Sequence, residues 1–218
     1  MLRLENLSKS FGEKVIWKNL TAVFDTGELI ALTGKSGTGK TTLLNCIGLL
    51  ESVNSGKIYY SNVDVTSINS AKRQKYYQGE VGFLFQNYGL VDDMTISENL
   101  DIALKFKKLN KVQREKAMRS ALNKLQIQNG LNTRIYTLSG GEQQRVALAK
   151  LLLRKPKLIL VDEPSAALDI TNTINALEIL GSFADYGATV IIATHDPVVV
   201  EKCQTVYEIT GASLVRNG

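Results

Sequence analysis

The stretch that most constrains this chain is the loop sequence GKSGTGKTT at residues 34–42. Its glycines permit backbone angles that other residues rarely adopt, so successive N–H groups can turn toward one anion. Lys40 supplies a mobile positive charge for the β- and γ-phosphates of a nucleotide, and the Thr41 hydroxyl can bind the accompanying Mg²⁺. The apolar run at residues 29–32 predicts a buried strand before the loop, and residues 42–47 open a helix whose positive end faces the phosphates. Taken alone, the pattern also fits a glycine-rich turn between a strand and a helix.

Composition limits the class of protein. The 218 residues are 44% hydrophobic, which suits one globular domain whose core needs no disulfide scaffold. Cys46 and Cys203 lack metal-ligand spacing and are expected to be small buried hydrophobic residues. The net charge of +5 fits an anionic ligand or membrane surface, and it does not argue for nucleic acid as a partner.

No apolar run approaches the roughly 18 residues needed to cross a bilayer. The first residues, MLRLENLSKSF, lack the apolar centre of a signal peptide. We therefore expect a cytoplasmic protein whose contact with a membrane is made through a partner.

Strand-forming residues dominate the first part of the chain. Residues 1–7 and 15–24 have alternating or mixed apolar patterns separated by a turn at residues 11–13, which predicts an antiparallel sheet. Phe11 lies in that turn, where its ring either stacks on a nucleobase or is simply a partly buried turn aromatic. The sequence leaves both interpretations open.

A further short strand ends on an amide side chain. After a predicted strand at residues 55–60 and a polar helix at residues 70–77, residues 80–86 form a short apolar strand that ends at Gln86. Ligands of open α/β sheets bind outside the carboxyl ends of the strands. Gln86 is therefore expected to reach the nucleotide.

The pattern becomes helical between residues 95 and 125. It predicts two helices, with apolar faces formed by Ile96, Leu100, Ala103 and Leu104 in the first and by Val112, Ala117, Ala121, Leu122 and Leu125 in the second. The connecting face is basic and carries Lys105, Lys107, Lys108, Lys111, Arg114, Lys116, Arg119 and Lys124 against the single acid Glu115. Such a face is either a solvated helical surface or one that attracts anionic lipid headgroups or an acidic partner.

The run LSGGEQQR predicts the start of another helix. Ser139 followed by Glu142 is a capping box for a helix over residues 140–153. Gly140 and Gly141 in its first turn lower helix stability by about 1 kcal/mol each, which suggests that something must approach the backbone closely. A helix N-terminus with a serine hydroxyl and no obstructing side chains is a second anion site.

Two adjacent acids follow a predicted strand at residues 157–161. This continuous aliphatic run is typical of a strand covered on both faces, and Pro164 ends it. Neighbouring residues at a strand end project to different sides, so Asp162 can hold Mg²⁺ while Glu163 accepts the proton of an attacking water. An ordinary acidic turn after a strand is the simpler alternative.

The only histidine of the chain also lies at a predicted strand end. A helix is expected over residues 171–186, followed by a buried strand at residues 189–193 and then by His195, on the same rim as Glu163. The tail at residues 205–215 predicts a closing hairpin. The alternation of strands with helices predicts an α/β fold with a mostly parallel sheet.

Taken in order, these motifs resemble the nucleotide-binding subunit of ABC transporters. The likeness covers essentially the whole chain and rests on the phosphate loop, Gln86, the LSGGEQ run, the LILVDEP run and His195. The LSGGEQ run is highly specific because phosphate-loop proteins in general do not carry it. The resemblance implies a single ABC ATPase domain over residues 1–218, with a phosphate-loop NTPase core, an N-terminal antiparallel β subdomain and an inserted α-helical signature subdomain. The core would comprise residues 1–86 and 156–218, and the helical subdomain residues 87–155.

The resemblance also implies a role for each motif residue. Phe11 stacks on adenine beside Ile16, and the Walker A loop that binds ATP comprises Gly34, Lys35, Ser36, Gly37, Thr38, Gly39, Lys40, Thr41 and Thr42. The implied catalytic residues are Glu163 as the base, His195 as the switch histidine and Gln86 in the Q-loop. Mg²⁺ is the implied cofactor, with Thr41, Gln86 and Asp162 as its ligands. Ser139, Gly140, Gly141 and Glu142 contact the ATP of the opposite subunit, so catalysis requires a head-to-tail dimer with two ATP molecules.

The chain departs from the family pattern at two positions. The D-loop at residues 165–169 is Ser-Ala-Ala-Leu-Asp, and Ala166 lacks the hydroxyl that would make one hydrogen bond across the dimer. Lys150 stands where arginine is frequent after the signature, and we expect this change to matter little.

The resemblance implies an ATPase that powers a separate membrane permease and exports or detoxifies a peptide or antimicrobial substrate. The compact length and the run FQNYGLVDDMTISENLDIAL are similar to the group serving macrolide export, lipoprotein release, bacitracin resistance and bacteriocin export. Residues 86–104 would line the groove for the permease's coupling helix, which would hold the chain at the inner face of the cell membrane. Two alternatives stay open: a non-transport ABC ATPase of the cell-division or iron–sulfur assembly type, and an ordinary phosphate-loop kinase.

Overall fold

The computed structural model describes residues 1–165, 169–210 and 213–217, and the elements named below belong to that part of the chain. The strands are β1 (Leu2–Phe11), β2 (Lys14–Phe24), β3 (Leu29–Thr33), β4 (Ser55–Tyr60), β5 (Val63–Asp64), β6 (Val81–Leu84), β7 (Leu158–Asp162), β8 (Thr189–Ala193), β9 (Thr205–Thr210) and β10 (Ser213–Asn217). The α-helices are α1 (Lys40–Ile47), α2 (Ser70–Lys75), α3 (Ile96–Leu104), α4 (Lys111–Lys124), α5 (Gly140–Arg154), α6 (Ile170–Asp185) and α7 (Pro197–Lys202).

The N-terminal strands form the predicted antiparallel sheet. Its strand order is β2-β1-β4-β5, and β1 pairs with both β2 and β4 in antiparallel register. Leu2, Leu4 and Leu7 of β1 are all buried, and Leu7 joins the face of Leu2 and Leu4 because the strand has an irregularity in register between Leu4 and Leu7. The short strand β5 was not predicted from the sequence.

The second sheet carries the carboxyl strand ends on which the site is built. Its order is β10-β9-β3-β8-β7-β6, in which β9, β3, β8, β7 and β6 run parallel to their neighbours and β10 closes an antiparallel hairpin. Strand β8 is buried along its whole length, as expected for an aliphatic strand covered on both faces. The predicted α/β fold with a mostly parallel sheet is confirmed.

Two apolar cores cover the faces of this parallel sheet. One lies between the two sheets and includes Trp17, Phe24, Ile30 and α1, and the other lies beneath the helices α3 to α6. Cys46 is buried and Cys203 is partly buried, and neither forms a disulfide. Burial raises the pKa of the Cys46 thiol to about 11, and its full burial agrees with the prediction of a small buried hydrophobic residue.

Three local expectations differ from the structure. Val112 does not join the apolar face of α4, because its side chain is 77% exposed whereas Met118 is buried. Met118 and Leu122 lie four residues apart and face the core together, whereas Val112 is six positions before Met118 and therefore lies on another side of the helix. The polar helix α2 ends at Lys75 and continues as a π-helical turn, Tyr76–Glu80. The short helix α7 follows His195 and was not predicted, although Asp196 caps it and Pro197 occupies its first turn.

Within residues 1–165, 169–210 and 213–217, none of the helices combines the length and the apolar character that crossing a bilayer would require.

Candidate active site

The phosphate loop connects β3 to α1 through a tightly packed turn. Gly39 has φ 94° and caps α1 without a side-chain hydrogen bond, and a Cβ added there would overlap Ile16 and would lie 2.9 Å from Trp17 Nε1. Only glycine fits this position, because both the backbone angle and the space exclude a side chain. Lys40 Nζ donates a hydrogen bond to the Gly34 carbonyl at 2.9 Å. The ammonium group is therefore folded over the mouth of the loop.

The first helical turn of α1 touches the end of β7. Thr41 Oγ1 donates a hydrogen bond to Asp162 Oδ1 at 3.0 Å. Burial raises the pKa of Asp162, and the hydrogen bond from Thr41 opposes that rise. A hydroxyl and a carboxylate from two elements therefore present oxygen atoms to the same point. These are the hard oxygen ligands that Mg²⁺ prefers, so the residues present fit the predicted cofactor.

Glu163 and His195 form a pair at the ends of β7 and β8. His195 Nδ1 lies 2.9 Å from Glu163 Oε1, and the Glu163 backbone N–H donates to the Ala193 carbonyl at 2.9 Å. Glu163 has φ 46°, a left-handed conformation that costs free energy in a residue with a side chain. Its Oε2 atom is buried and has no hydrogen-bond partner within the described residues. One carboxylate oxygen is thus fixed by the imidazole, while the other remains able to accept a proton.

A cavity of about 710 Å³ brings these elements together. The predicted site residues that line it are Ile16, Gly34, Lys35, Ser36, Gly37, Gly39, Lys40, Thr41, Thr42, Gln86, Glu163 and His195. Lys14 also lines it and was missed by the sequence analysis. Lys14 and Ile16 lie two residues apart on β2, so they share one face of the strand. That spacing was the signal that could have revealed Lys14.

Apart from the signature residues 139–142, three predicted site residues lie outside the lining of this cavity. Thr38 shapes the loop instead, since its hydroxyl donates to the Lys35 carbonyl at 2.9 Å. Asp162 lies behind Thr41, to which it is hydrogen-bonded. Phe11 is 50% exposed at the end of β1, and Lys9 Nζ lies 4.5 Å from the centre of its ring. The stacking of Phe11 on adenine stays a prediction.

The predicted capping box begins α5. Glu142 accepts hydrogen bonds from the Ser139 backbone N–H and hydroxyl, both at 2.8 Å, and the Ser139 hydroxyl accepts from the Glu142 N–H at 3.4 Å. These hydrogen bonds lower the pKa of Glu142. Ser139, Gly140, Gly141 and Glu142 do not line the cavity of the phosphate loop. Within the described residues, their helix N-terminus therefore lies apart from the phosphate-loop cavity of its own chain.

The need for glycine at position 141 has a specific cause. A Cβ added to Gly141 would lie 3.2 Å from the Asn172 amide of α6. That amide is held in place, because Asn172 accepts from Arg145 at 2.9 Å and donates to Asp169 at 2.9 Å. The close neighbour that the sequence implied is therefore, at this glycine, a side chain of the same chain.

The chain departs from the family pattern in the D-loop and at Lys150, and the structure describes only the second position fully. Residues 166–168 of the D-loop lie outside the described residues, so the expected effect of Ala166 is not addressed by the structure. Lys150 has a definite contact, since its Nζ donates to the Gly89 carbonyl at 2.7 Å. That hydrogen bond joins α5 to the loop that follows Gln86. The expectation that lysine in place of arginine matters little stays a prediction.

Comparison with known proteins adds to this geometry. A sequence profile of the family described as "ABC transporter" matches residues 17–166. The macrolide export ATP-binding/permease protein MacB of Campylobacter jejuni is 35% identical over 215 residues, which cover 99% of this chain and 34% of MacB. The lipoprotein-releasing system ATP-binding protein LolD of Neorickettsia sennetsu is 35% identical over 216 residues, which cover 96% of this chain and 95% of LolD. The chain thus spans about a third of MacB and nearly all of LolD.

A solved structure gives the same result for the fold. The dimeric ATP-binding cassette MJ0796, in a post-hydrolysis state bound to ADP and Pi, matches with a TM-score of 0.90 and 29% identity over 100% of both chains. The match extends over both sheets and the helices between them.

Proposed function

This chain belongs to the ABC transporter family as an ATP-binding cassette of the ATPase type, and from that premise we propose that two copies close on two ATP molecules and drive a separate membrane permease. ATP is the substrate, and a second copy and the permease are the partners; nucleic acid is not one. The helical subdomain comprises residues 87–155, and the rest of the chain forms the nucleotide-binding core.

Hydrolysis requires positioning and charge neutralisation more than covalent chemistry. The loop N–H groups and Lys40 hold the phosphates, and Glu163 accepts the proton of the attacking water while His195 fixes the carboxylate. Thr41 and Asp162, with Gln86, hold Mg²⁺, which neutralises phosphate charge when it is bound. The environment of Glu163 supports its assignment as the base. Its Oε2 atom is buried and has no hydrogen-bond partner in the described part of the chain, and Glu163 lines the phosphate-loop cavity.

One observation supports the proposed dimer most directly. The cavity contains the phosphate loop, Gln86, Glu163 and His195 but not the N-terminus of α5. That helix end is an anion site whose capping box is already formed. A second copy, facing head to tail, brings its own Ser139 to the phosphates of the first. The dimeric cassette MJ0796, described as bound to ADP and Pi, is in keeping with this arrangement.

The permease is proposed to dock in a groove at the other edge of the site. This groove of about 480 Å³ is lined by residues from α2, α3, α5 and the loop after Gln86. It is the place where movement of the Q-loop can be passed to a partner. We call this surface the coupling groove. A permease docked there would hold the chain at the inner face of the cell membrane.

The names of the relatives support the proposed substrate class. One is a macrolide export protein with ATP-binding and permease parts in its name, and the other is the ATP-binding protein of a lipoprotein-releasing system. Export or detoxification of a peptide or antimicrobial fits both names. The chain covers 34% of MacB and 95% of LolD, and the likeness to LolD, named as an ATP-binding protein, supports the proposal that the permease is a separate chain.

Two measurements test the proposal. The purified chain should release phosphate from ATP with Mg²⁺ and no acceptor molecule, whereas turnover that strictly required a small acceptor would indicate a kinase. The tagged chain should co-purify with a multi-span membrane protein from detergent extracts. A complex of soluble proteins alone would favour the non-transport ABC ATPase instead.

A further inference from the structure

The coupling groove has one sign of charge. Arg73, Lys150 and Arg154 line it, and no aspartate or glutamate does among the residues described. The neighbouring cavity beside α3 and α4 is different, because Glu98, Asp101 and Glu115 lie there among lysine and arginine residues. The excess of positive charge therefore belongs to the groove and not to the helical region as a whole.

Two of the groove cations stand next to each other without a counter-ion. Lys150 and Arg154 are four residues apart on α5 and share one face of the helix. Both side chains are partly buried, and burial lowers the pKa of each, with Arg154 lowering that of Lys150 further. Neither forms an ion pair within the described residues. Desolvated like charges destabilise a fold unless a partner compensates them.

Helix electrostatics explain only part of this pattern. Arg154 lies in the last turn of α5, where the helix dipole favours a cation. Lys150 lies one turn earlier, and its ammonium group donates one hydrogen bond to the Gly89 carbonyl. An ammonium group has three donors, so two remain available to a ligand of the groove that Lys150 lines.

The apolar residues that line the groove indicate a second property of its ligand. Phe83 and Phe85 stack with ring centres 5.1 Å apart, and Phe85, Ile102 and Phe106 line the groove with solvent-exposed surface. An occupant must therefore offer apolar side chains to these rings as well as negative charge to the cations.

We propose that the permease segment that docks here is an amphipathic segment that places a carboxylate between Lys150 and Arg154 and an apolar side chain against Phe85 and Phe106. This inference rests on the proposed function, since it names the chemistry of the same docking surface. The carboxylate offsets part of the charge of two cations that have no ion-pair partner within the described residues, so it selects the segment as well as holding it.

Charge reversal at Arg154 tests this directly. The tagged full chain is purified from detergent extracts with its permease, identified by mass spectrometry, and recovery is compared for Arg154→Glu, Arg154→Lys and Lys116→Glu. Lys116 is an exposed lysine of α4 outside the groove, so Lys116→Glu makes the same charge change elsewhere. We expect Arg154→Glu to lower permease recovery at least about tenfold, while the other two variants recover it normally. ATP binding by each isolated variant checks that it is folded.

The decisive step is rescue. Each acidic residue in the cytoplasmic loops of the permease is changed to lysine, and one such change should restore recovery with Arg154→Glu. Normal recovery with Arg154→Glu, or the absence of any rescuing position, would overturn the inference while leaving the permease itself established. Parallel loss of binding to phosphatidylglycerol vesicles without rescue would assign the cations to lipid and also overturn it. If no permease co-purifies with the unchanged chain, the proposed function fails and this inference fails with it.

Discussion

His195 Nδ1 and Glu163 Oε1 are 2.9 Å apart, although the two residues come from different strands and lie 32 positions apart in the chain. The imidazole is largely exposed, with 76% of its side chain accessible, whereas the Glu163 side chain is 18% accessible. The exposed ring therefore holds a shielded carboxylate in place. In this pair, Glu163 is the base and His195 is the residue that positions it.

Replacing Glu163 with Gln should slow phosphate release by roughly 10²–10⁴-fold, the usual contribution of a general base. ATP binding should persist, because the loop and Lys40 are unchanged. The rate is measured by single-turnover phosphate release, with nucleotide affinity measured separately. Undiminished turnover would remove Glu163 from the role of base.

Replacing His195 with Ala should also lower turnover, by about tenfold or more, since a misoriented base loses part of its contribution. The readout that separates positioning from base chemistry is the double variant. His195→Ala added to Glu163→Gln should cause little further loss, because both act through one carboxylate. Fully multiplicative losses would mean that His195 acts independently of Glu163.

Replacing Lys40 with Ala should weaken nucleotide binding itself. Its ammonium is the mobile charge at the loop, held now by the Gly34 carbonyl, and binding of a triphosphate depends on it. Isothermal titration with ATP checks this, with Lys116→Ala as the control for removal of a lysine outside the cavity. A Lys40→Ala variant that bound ATP normally would show that the loop has been misassigned.

Replacing Asp162 with Asn should stabilise the nucleotide-free protein at neutral pH. Because burial raises the folded-state pKa of Asp162, the ionised carboxylate destabilises the fold. That penalty is absent below the unfolded pKa and grows as the pH rises toward the folded pKa. Urea unfolding at pH 7 and at acidic pH should therefore show the largest gain for Asp162→Asn at pH 7. A loss of stability at pH 7 for Asp162→Asn would contradict the assignment.

Two glycines in helices give a matched pair. Gly181 of α6 has open space around an added Cβ, whereas Gly141 has the Asn172 amide at 3.2 Å. Gly181→Ala should stabilise the protein by about 0.5–1 kcal/mol, the usual gain in helix propensity. Gly141→Ala should lack this gain and should lower turnover. Chemical denaturation measures the first effect, and an equal gain in both variants would mean that Asn172 yields easily.

The parts of the molecule that could be predicted are those whose causes are local. Gly39 and Lys40 lie within one loop, and Ser139 and Glu142 lie within one helical turn, so the sequence alone contains the reason for each structure. The buried strands β7 and β8 were predicted for the same reason, because an aliphatic run requires cover on both faces.

The parts that escaped prediction depend on tertiary packing. Lys150 meets the Gly89 carbonyl across 61 positions, and Asn172 reaches Gly141 from another helix. Which face of α4 is buried was decided by the neighbours of Met118, not by Val112 itself. Periodicity shows that a face exists, whereas only the packed structure shows where its centre lies.

The central claim is that the α5 tip of one copy completes the phosphate site of another. The most direct test is the mass in solution of the Glu163→Gln variant saturated with Mg-ATP, measured by light scattering with and without the added change Ser139→Asp, which keeps a residue able to cap α5 and places a negative charge at the tip facing the phosphates. We predict twice the mass of one chain for Glu163→Gln and the mass of one chain for the double variant. A mass of one chain for Glu163→Gln at every concentration, alone and with its permease, would contradict the account.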